Sequence, residues 1–217
     1  MDATLKHVNP APTHVDYQFV VDFLLDMAQG KSLDHLVQML LRQNLKTGQK
    51  SVVAVVIWLL ENRAQIENGV TDAQAGDQRL LYAVAGVASG GAEAANQPSR
   101  FPDQVARVPL GSGPIGRIVT TREPCLLHDL DRTPGELAGA ADWFKTLGIC
   151  GFAAVPLIHK GEVLGVLGNF EGRNPPRELL DFGRIVAEQV SAAIVIARSF
   201  DEIKRLKGQL EHHNALL

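Results

Sequence analysis

The sequence predicts an α+β fold in which a mostly antiparallel sheet is flanked by helices. Two apolar segments, 151–158 and 163–170, enclose a short polar stretch that is typical of a tight hairpin. Apolar residues recur at helical spacing towards both ends of the chain, and the connections between predicted elements are short. These observations favour an antiparallel sheet covered by helices over a doubly wound parallel sheet.

The composition limits the class of protein. The chain has 217 residues, of which 46% are hydrophobic, enough for one substantial core. A net charge of −3, the lack of a Lys/Arg run and only 6% aromatic residues do not indicate a nucleic-acid surface. The N-terminus lacks the pattern of a signal peptide, and the apolar run at 52–60 is far shorter than the roughly 20 residues of a membrane helix. We therefore expect a cytoplasmic protein that contacts neither nucleic acid nor membrane.

The first half of the chain predicts two helices followed by two strands. Residues 1–14 are polar and proline-containing, and we interpret them as a disordered lead. Apolar residues at helical spacing predict a first helix that ends at Gly30 and a second over 32–47. The β-branched run at 51–60 and the apolar run at 79–88 predict strands, each followed by a segment with the composition of a loop.

Residues 111–116 read Gly-Ser-Gly-Pro-Ile-Gly, a formal match to the G-x-G-x-x-G fingerprint of dinucleotide-binding sites. Such a site needs its glycines directly after a buried first strand, whereas here a weak segment, ARVPL, precedes them in the middle of the chain. We predict instead a sharp turn that leads into a helix over 114–121, with Gly116 allowing that helix to approach a neighbouring element.

The second half predicts a strand, a helix, the hairpin and one long helix. The strand covers 124–128, and a helix over 134–147 has Thr133 as its N-cap. The last helix starts at 175, with Asn174 as its N-cap, and continues to the end of the chain. At 1.5 Å per residue it would be roughly 65 Å long, so part of it must project from the domain.

The glycine turn and the hairpin occur in the order found in one known family. Residues 111–124, followed by an apolar strand that ends at His128-Asp129, resemble the central segment of GAF domains, and 147–170 resembles the strand–hairpin–strand of that family. The resemblance covers about 33–197 and depends on the order of motifs rather than on any one of them. It implies a PAS-like fold with a small-molecule pocket on one face of the sheet, and a sensory or regulatory role.

The C-terminal segment carries a second resemblance. It is similar to the linker after the GAF domain in sigma-54-dependent transcription activators of the formate-hydrogenlyase-activator type, where the helix leads into an ATPase domain. The matching residues are Glu202, Ile203, Leu206, Lys207, Leu210, Glu211 and Asn214. This implies three parts: the lead at 1–14, a GAF sensory domain at 15–197 and a coiled-coil linker helix at 198–217 towards an effector domain. Sensor histidine kinases, which also carry GAF domains followed by coiled coils, are the alternative.

The last helix presents two apolar faces. One face can cover the sheet, and the residues that define the other are Ile185, Ala192, Ile196, Ile203 and Leu210. From Ile196 onward these residues repeat every seven positions, which is typical of a coiled coil. We expect a parallel homodimer through the terminal helices; the alternative is that the N-terminal helices of the same chain cover this face.

The small molecule is expected between the sheet and the segment 114–147. The candidate ligand-binding residues are Cys125, His128, Trp143, Phe144, Cys150 and Phe152. Trp143 and Phe144 fit a plain hydrophobic core equally well. The sequence does not identify the ligand, and no cofactor can be assigned.

Two chemical alternatives centre on the cysteines. The C-x-x-H-D-x-D pattern at 125–131 contains metal-binding residue types, but alternation along a strand would place Cys125 and His128 on opposite faces, so we predict no metal site. Free methionine sulfoxide reductases are GAF proteins that use cysteines, but this chain has only two and lacks the cysteine-bearing segment of that family. A reactive Cys125 would also need a depressed pKa and a resolving thiol. We therefore expect a protein that is not an enzyme.

Overall fold

The computed structural model describes residues 52–60, 80–88, 101–132 and 135–214. The predicted lead and the two predicted N-terminal helices lie outside these ranges. In chain order the described elements are β1 (Val52–Leu60), β2 (Leu80–Ala88), α1 (Asp103–Ala106), β3 (Arg107–Pro109), α2 (Gly113–Thr121), β4 (Cys125–Leu127), a 310 helix (Gly135–Ala140), α3 (Ala141–Leu147), β5 (Gly151–His159), β6 (Glu162–Glu171) and α4 (Glu178–Asn214).

The strands form one six-stranded sheet in the order β3-β2-β1-β6-β5-β4, and every neighbouring pair is antiparallel. The predicted α+β class, an antiparallel sheet with flanking helices, is therefore confirmed. The β-branched strand β1 and the apolar strand β6 lie at the centre, where both edges of each strand are paired. β3 was missed because ARVPL is short and weakly apolar, and it lies at the edge of the sheet.

The predicted hairpin is confirmed. β5 and β6 are joined by Lys160 and Gly161, which both have positive φ angles, 48° and 82°. Positive φ at both central residues is the geometry of the two-residue turn that matches the twist of the two strands. Pro156 lies on β5 beyond the three residues that pair with β4, so its missing N–H interrupts no hydrogen bond to that strand.

Different helices pack on the two faces of the sheet. Side chains alternate along β1, so Val55 and Ile57 face α4, whereas Val56 and Trp58 face α2 and α3 on the opposite side. Each face has its own buried apolar cluster, and both are built on the central strands. One layer of strands therefore separates the two cores.

The glycine-rich segment forms the predicted sharp turn into a helix. Gly111 and Gly113 have φ angles of 75° and 60°, and the backbone N–H of Gly111 donates to the oxygen of Gly116 over 3.0 Å. A Cβ at Gly116 would clash with the carbonyl oxygen of Pro109, so only glycine lets α2 lie against β3. The strand before the glycines is a three-residue edge strand rather than a buried first strand, which does not fit a dinucleotide-binding loop.

The prediction of a single α-helix over 134–147 was wrong. A 310 helix comes first, with non-helical angles at Leu137, and α3 starts only at Ala141. Gly135 adopts a positive φ of 53°, which a regular α-helix cannot contain. The predicted end at Gly148 is confirmed, since this residue has left-handed angles. Thr133 lies outside the described residues.

The last helix starts later than predicted. Leu179 and Leu180 bond back to Pro176 and Arg177 in a tight turn, and regular helix begins at Glu178. α4 has 37 residues, so it is about 55 Å long. Among the α4 side chains that the structure describes, Ala197 is the last that packs against the sheet's core. None of the described helices combines the length and apolarity that crossing a membrane requires.

Candidate functional site

The sheet face opposite α4 carries a cluster of aromatic rings. Trp58 from β1, Phe152 from β5 and Phe170 from β6 have no solvent exposure. The ring centroids of Phe152 and Phe170 are 4.8 Å apart, and Trp58 packs edge-on against both at 6.4 and 6.3 Å. A Cβ at Gly168 would come within 2.7 Å of Trp58 and 2.9 Å of Phe152, so this glycine makes room for the rings on β6.

α3 closes over this aromatic cluster. Trp143 packs edge-on against Phe170 at 5.1 Å and against Phe101 at 5.7 Å, while Phe144 lies 6.0 Å from Phe170. Phe144 is fully buried, but Trp143 remains partly exposed. Trp143 therefore extends from the aromatic core to the surface of this side of the domain.

Three of the predicted site residues, Trp143, Phe144 and Phe152, thus lie in one aromatic network. Sequence reasoning missed its two central members, Trp58 and Phe170. Both belong to apolar strands in which every second residue faces the same side, so the alternation in those strands carried the signal. The indole N–H of Trp58 donates to the carbonyl oxygen of Val105. Its polar atom is therefore already paired within the domain.

The remaining predicted residues lie around the end of β4. Cys125 is partly buried and packs against the aromatic side of the core, together with Leu127. His128 follows the last strand residue, is exposed, and has its Nε2 atom 3.0 Å from the carbonyl oxygen of Pro175. Cys125 and His128 therefore point to different surroundings. No three His, Cys, Asp or Glu side chains within 52–60, 80–88, 101–132 and 135–214 come together as metal ligands.

Cys150 lies beside the acidic turn that follows β4. Its Sγ atom is 3.8 Å from the carbonyl oxygen of Gly148. Partial burial raises the pKa of this thiol, and the negative charges of Asp131 and Asp129 raise it further against a weaker opposing effect of Arg132. At neutral pH Cys150 is therefore the protonated thiol rather than the reactive thiolate.

Asp129 and Asn174 form a reciprocal pair, which we name the 129–174 clasp. The Asn174 Oδ1 atom accepts a hydrogen bond from the Asp129 backbone N–H over 2.8 Å, and its Nδ2 group donates to the Asp129 carboxylate over 2.9 Å. Asp129 has a φ of 54°, a conformation that Asp tolerates better than most residues. The clasp joins the turn after β4 to the segment that leads into α4. Asn174 was predicted to cap that helix, and this was wrong because its amide is engaged by Asp129.

Comparison with known proteins now identifies the fold. The family model of the GAF domain matches residues 30–195 of the chain. The chain belongs to the GAF domain family. The family predicted from the glycine turn and the hairpin is therefore confirmed. No curated protein matches the sequence.

Solved structures show the same fold at low sequence identity. The GAF domain of the phosphoenolpyruvate-protein phosphotransferase from Acinetobacter is 17% identical with a TM-score of 0.51, over 86% of this chain and 97% of that one. A methyl-accepting chemotaxis protein, residues 122 to 287, is 18% identical with a TM-score of 0.50, over 84% and 98%. The type II free methionine-R-sulfoxide reductase from Thermoplasma acidophilum is 15% identical with a TM-score of 0.50, over 81% and 94%.

These neighbours include a chemotaxis protein and a reductase, so the shared fold does not decide between a sensory domain and an enzyme. In this GAF domain, ligand binding by the six candidate residues remains a prediction. Geometry divides them: Trp143, Phe144 and Phe152 belong to the aromatic network, and Cys125 lies against the core on the same side. His128 and Cys150 lie at the turns beside the clasp.

Proposed function

We propose that this GAF domain is the sensory module of a bacterial transcription activator, and that a small molecule bound on the aromatic side of the sheet biases the position of α4. The observation that carries this is the arrangement of β5. Phe152 and Ala154 face the aromatic side, whereas Val155 and Leu157 belong to the core beneath α4. A ligand that displaces this strand would act on both cores, because tightly packed interiors transmit small shifts.

The ligand that fits this side is small and largely apolar, with a flat group that can stack on an aromatic ring. Trp143 supports this, because it is the ring of the network that combines partial exposure with edge-on packing on two buried phenylalanines. Aromatic pairs of this geometry stabilise by about 0.5–1.5 kcal/mol beyond burial of their area. Polar groups at the nearby turns, such as the Cys150 thiol, would supply orientation rather than most of the affinity.

The proposed effector is a transcription-activating ATPase domain after α4. The support is the match of residues 202–214 to the linker of sigma-54-dependent activators, and the continuation of α4 as one helix beyond the sheet. A histidine kinase is the alternative effector. Joining this chain to the ATPase domain of such an activator tests the assignment: we expect transcription to respond to the ligand, and a fusion that is locked in one state would contradict it.

The first experiment is native mass spectrometry of the protein purified without oxygen, followed by a screen of small metabolites by tryptophan fluorescence. The chain has two tryptophans, and Trp58 is fully buried, so a ligand on this side should change mainly the emission of Trp143. The Trp143→Phe variant keeps a ring but should lose that response. A ligand that binds without changing Trp143 emission, and equally to a Phe144→Leu variant, would contradict the proposed site.

We further propose that the domain is not a thiol-based reductase. The raised pKa of Cys150 supports this, because a nucleophilic cysteine needs a depressed pKa. The test is reduction of free methionine sulfoxide by the purified protein with a dithiol reductant. Turnover that disappears in Cys150→Ser or Cys125→Ser would show that the domain is an enzyme.

A further inference from the structure

The turn that follows β4 contacts both the aromatic side of the sheet and the segment that leads into α4. Leu130 is only 3% exposed and packs in the core on the aromatic side. The two residues before it bind that segment instead: Asp129 forms the 129–174 clasp, and the Nε2 atom of His128 lies 3.0 Å from the carbonyl oxygen of Pro175. A carbonyl oxygen only accepts hydrogen bonds, so Nε2 is the donor. Three consecutive residues therefore join the two regions.

Short backbone hydrogen bonds connect this turn to α3. Phe144, whose ring lies in the aromatic network, accepts a hydrogen bond from the N–H of Ile149 over 2.8 Å. The next residue, Cys150, accepts one from the N–H of Leu130, also over 2.8 Å. Ile149 and Leu130 are both buried, so the core shields these bonds from water. A displacement of α3 should therefore displace the turn after β4.

Gly151 lies where β4, β5 and the segment before α4 meet. A Cβ there would clash with the Cδ atom of Pro175, and it would lie 2.9 Å from the carbonyl oxygen of Arg173 and 3.2 Å from that of Leu127. Only glycine therefore lets this segment lie so close to the two strands. The position of the segment thus depends on where the ends of the strands lie.

The clasp is closed by a small margin of free energy. Asp129 adopts a left-handed φ of 54°, which is less favourable for this residue than an extended conformation. Its bonds to Asn174 are at the surface, where water competes for the same donors and acceptors. The cost of the backbone conformation and the gain from two exposed hydrogen bonds are of similar size. A small displacement of the turn is therefore enough to shift the balance between a closed and an open clasp.

We propose that the 129–174 clasp is a switch that couples α3 to the start of α4. In the closed form, which this structure shows, the turn after β4 holds 174–175. Displacement of α3 pulls the turn away through Ile149 and Cys150 and opens the clasp, so that the start of α4 loses its attachment to β4. This inference rests on the proposed function for the ligand that would displace α3, and it adds a second route to α4 beside the movement of β5.

A cycle of substitutions tests the coupling without a ligand. Phe144→Leu removes the ring that α3 packs near Phe170 and should loosen this helix. Hydrogen exchange of the full chain, followed by mass spectrometry, reports on the first turn of α4 at 178–182. We expect Phe144→Leu to speed exchange there by about 3- to 10-fold in the otherwise unchanged chain. In the Asn174→Ala variant, where the clasp is already open, it should add less than about 2-fold.

The matched control is Ile118→Val, which removes a methyl group from the same buried core on a helix that takes no part in these hydrogen bonds. Its loss of stability in urea should be similar to that of Phe144→Leu, but exchange at 178–182 should not change. Equal acceleration by Phe144→Leu with and without Asn174 would overturn the switch. Equal acceleration by Ile118→Val and Phe144→Leu, or none by Phe144→Leu, would overturn it as well.

The second test exchanges the two side chains of the clasp. Asn174→Asp places two carboxylates together, and their repulsion should open the clasp and speed exchange at 178–182 by about 10-fold. Adding Asp129→Asn rebuilds both hydrogen bonds, because the new amide donates to the new carboxylate and the other carboxylate oxygen accepts the backbone N–H. The double variant should return to within about 2-fold of the unchanged chain and respond again to Phe144→Leu. A double variant that stays open would overturn the switch.

The switch and the proposed function can fail separately, because neither test uses a ligand. A screen that finds no ligand for the aromatic side would contradict the proposed function and leave the measured coupling between α3 and α4 unchanged. Additive substitutions, together with a ligand that changes exchange at 178–182, would keep the sensory function. That result would overturn the switch and assign transmission to β5.

Discussion

The two halves of α4 belong to one helix but have different surroundings. In residues 178–197, Val190 and Ala193 are fully buried against the sheet. From Ser199 onward, every side chain that the structure describes is exposed. Both halves have apolar residues at helical spacing, so this pattern shows that a face is to be covered without showing what covers it.

Packing explains how the first half fits the sheet. Gly183 has no side chain and Ala187 has a small one, so α4 can approach β5 closely. A Cβ at Gly183 would lie 3.2 Å from a methyl carbon of Val155. Among the side chains described beyond Ser199, none is buried against the sheet. They include the Glu202–Arg205 pair, which stabilises the helix locally.

The largest expected difference between the halves comes from a buried charge. Val190→Asp should lower the free energy of unfolding by about 4 kcal/mol or more, because the carboxylate would enter an apolar core without a partner. Leu210→Asp should leave the stability of the domain itself nearly unchanged, because Leu210 is 63% exposed. Urea denaturation followed by tryptophan fluorescence measures both. Similar losses in the two variants would mean that the second half is also packed on the domain.

Loss of the 129–174 clasp should change hydrogen exchange in the first half of α4 and leave the second half unchanged. Asn174→Ala removes both hydrogen bonds to Asp129 and should cost about 1 kcal/mol, since the pair is exposed. Hydrogen exchange should become faster at the start of α4 and in the turn after β4, with no change at 203–210. The neighbouring Arg173→Ala is the control. Equal exchange in both variants would show that the clasp does not hold the start of the helix.

Glycine-to-alanine substitution should stabilise the second half of α4 more than the first half. Gly208→Ala places a methyl group in open space and should stabilise the helix by about 0.5–1 kcal/mol, through higher helix propensity. Gly183→Ala gains the same propensity but brings its methyl tightly against Val155, so its net gain should be smaller. Thermal unfolding of both variants measures this. A larger gain at Gly183 would contradict the close packing of the first half.

The smallest expected effect concerns pH. Arg205 lowers the pKa of Glu202, so the folded state favours the ionised carboxyl. This contribution is present above the usual glutamate pKa and is lost as the pH falls through the lower pKa of the folded helix. Once exchange rates are corrected for their intrinsic pH dependence, the wild type should therefore show slightly lower protection near residue 205 at acidic pH, and Glu202→Gln should remove that change in protection. An unchanged pH dependence in Glu202→Gln would assign it to other groups.

Local patterns predicted most of the secondary structure. The hairpin followed from its turn residues, β1 from a β-branched run, and α2 from glycines before a helix-starting proline. The candidate site was predicted less completely. The sequence predicts Trp143, Phe144 and Phe152 as site residues but not Trp58 and Phe170, because the contact between these two rings requires strands far apart in sequence to become neighbours.

The sequence by itself determined the hairpin, the central strands, the glycine turn into α2, the antiparallel class of the sheet and the family, because strand and helix periods and turn residues act over only a few positions. The tertiary structure decided which of several possible contacts each residue makes. Asn174 has the chemistry of a helix cap, yet it binds Asp129, which the fold brings beside it. α4 has apolar residues in both halves, yet, among the side chains that the structure describes, those packed on the sheet end at Ala197. A helical pattern shows that a helix has an apolar face, and the fold determines what packs on that face.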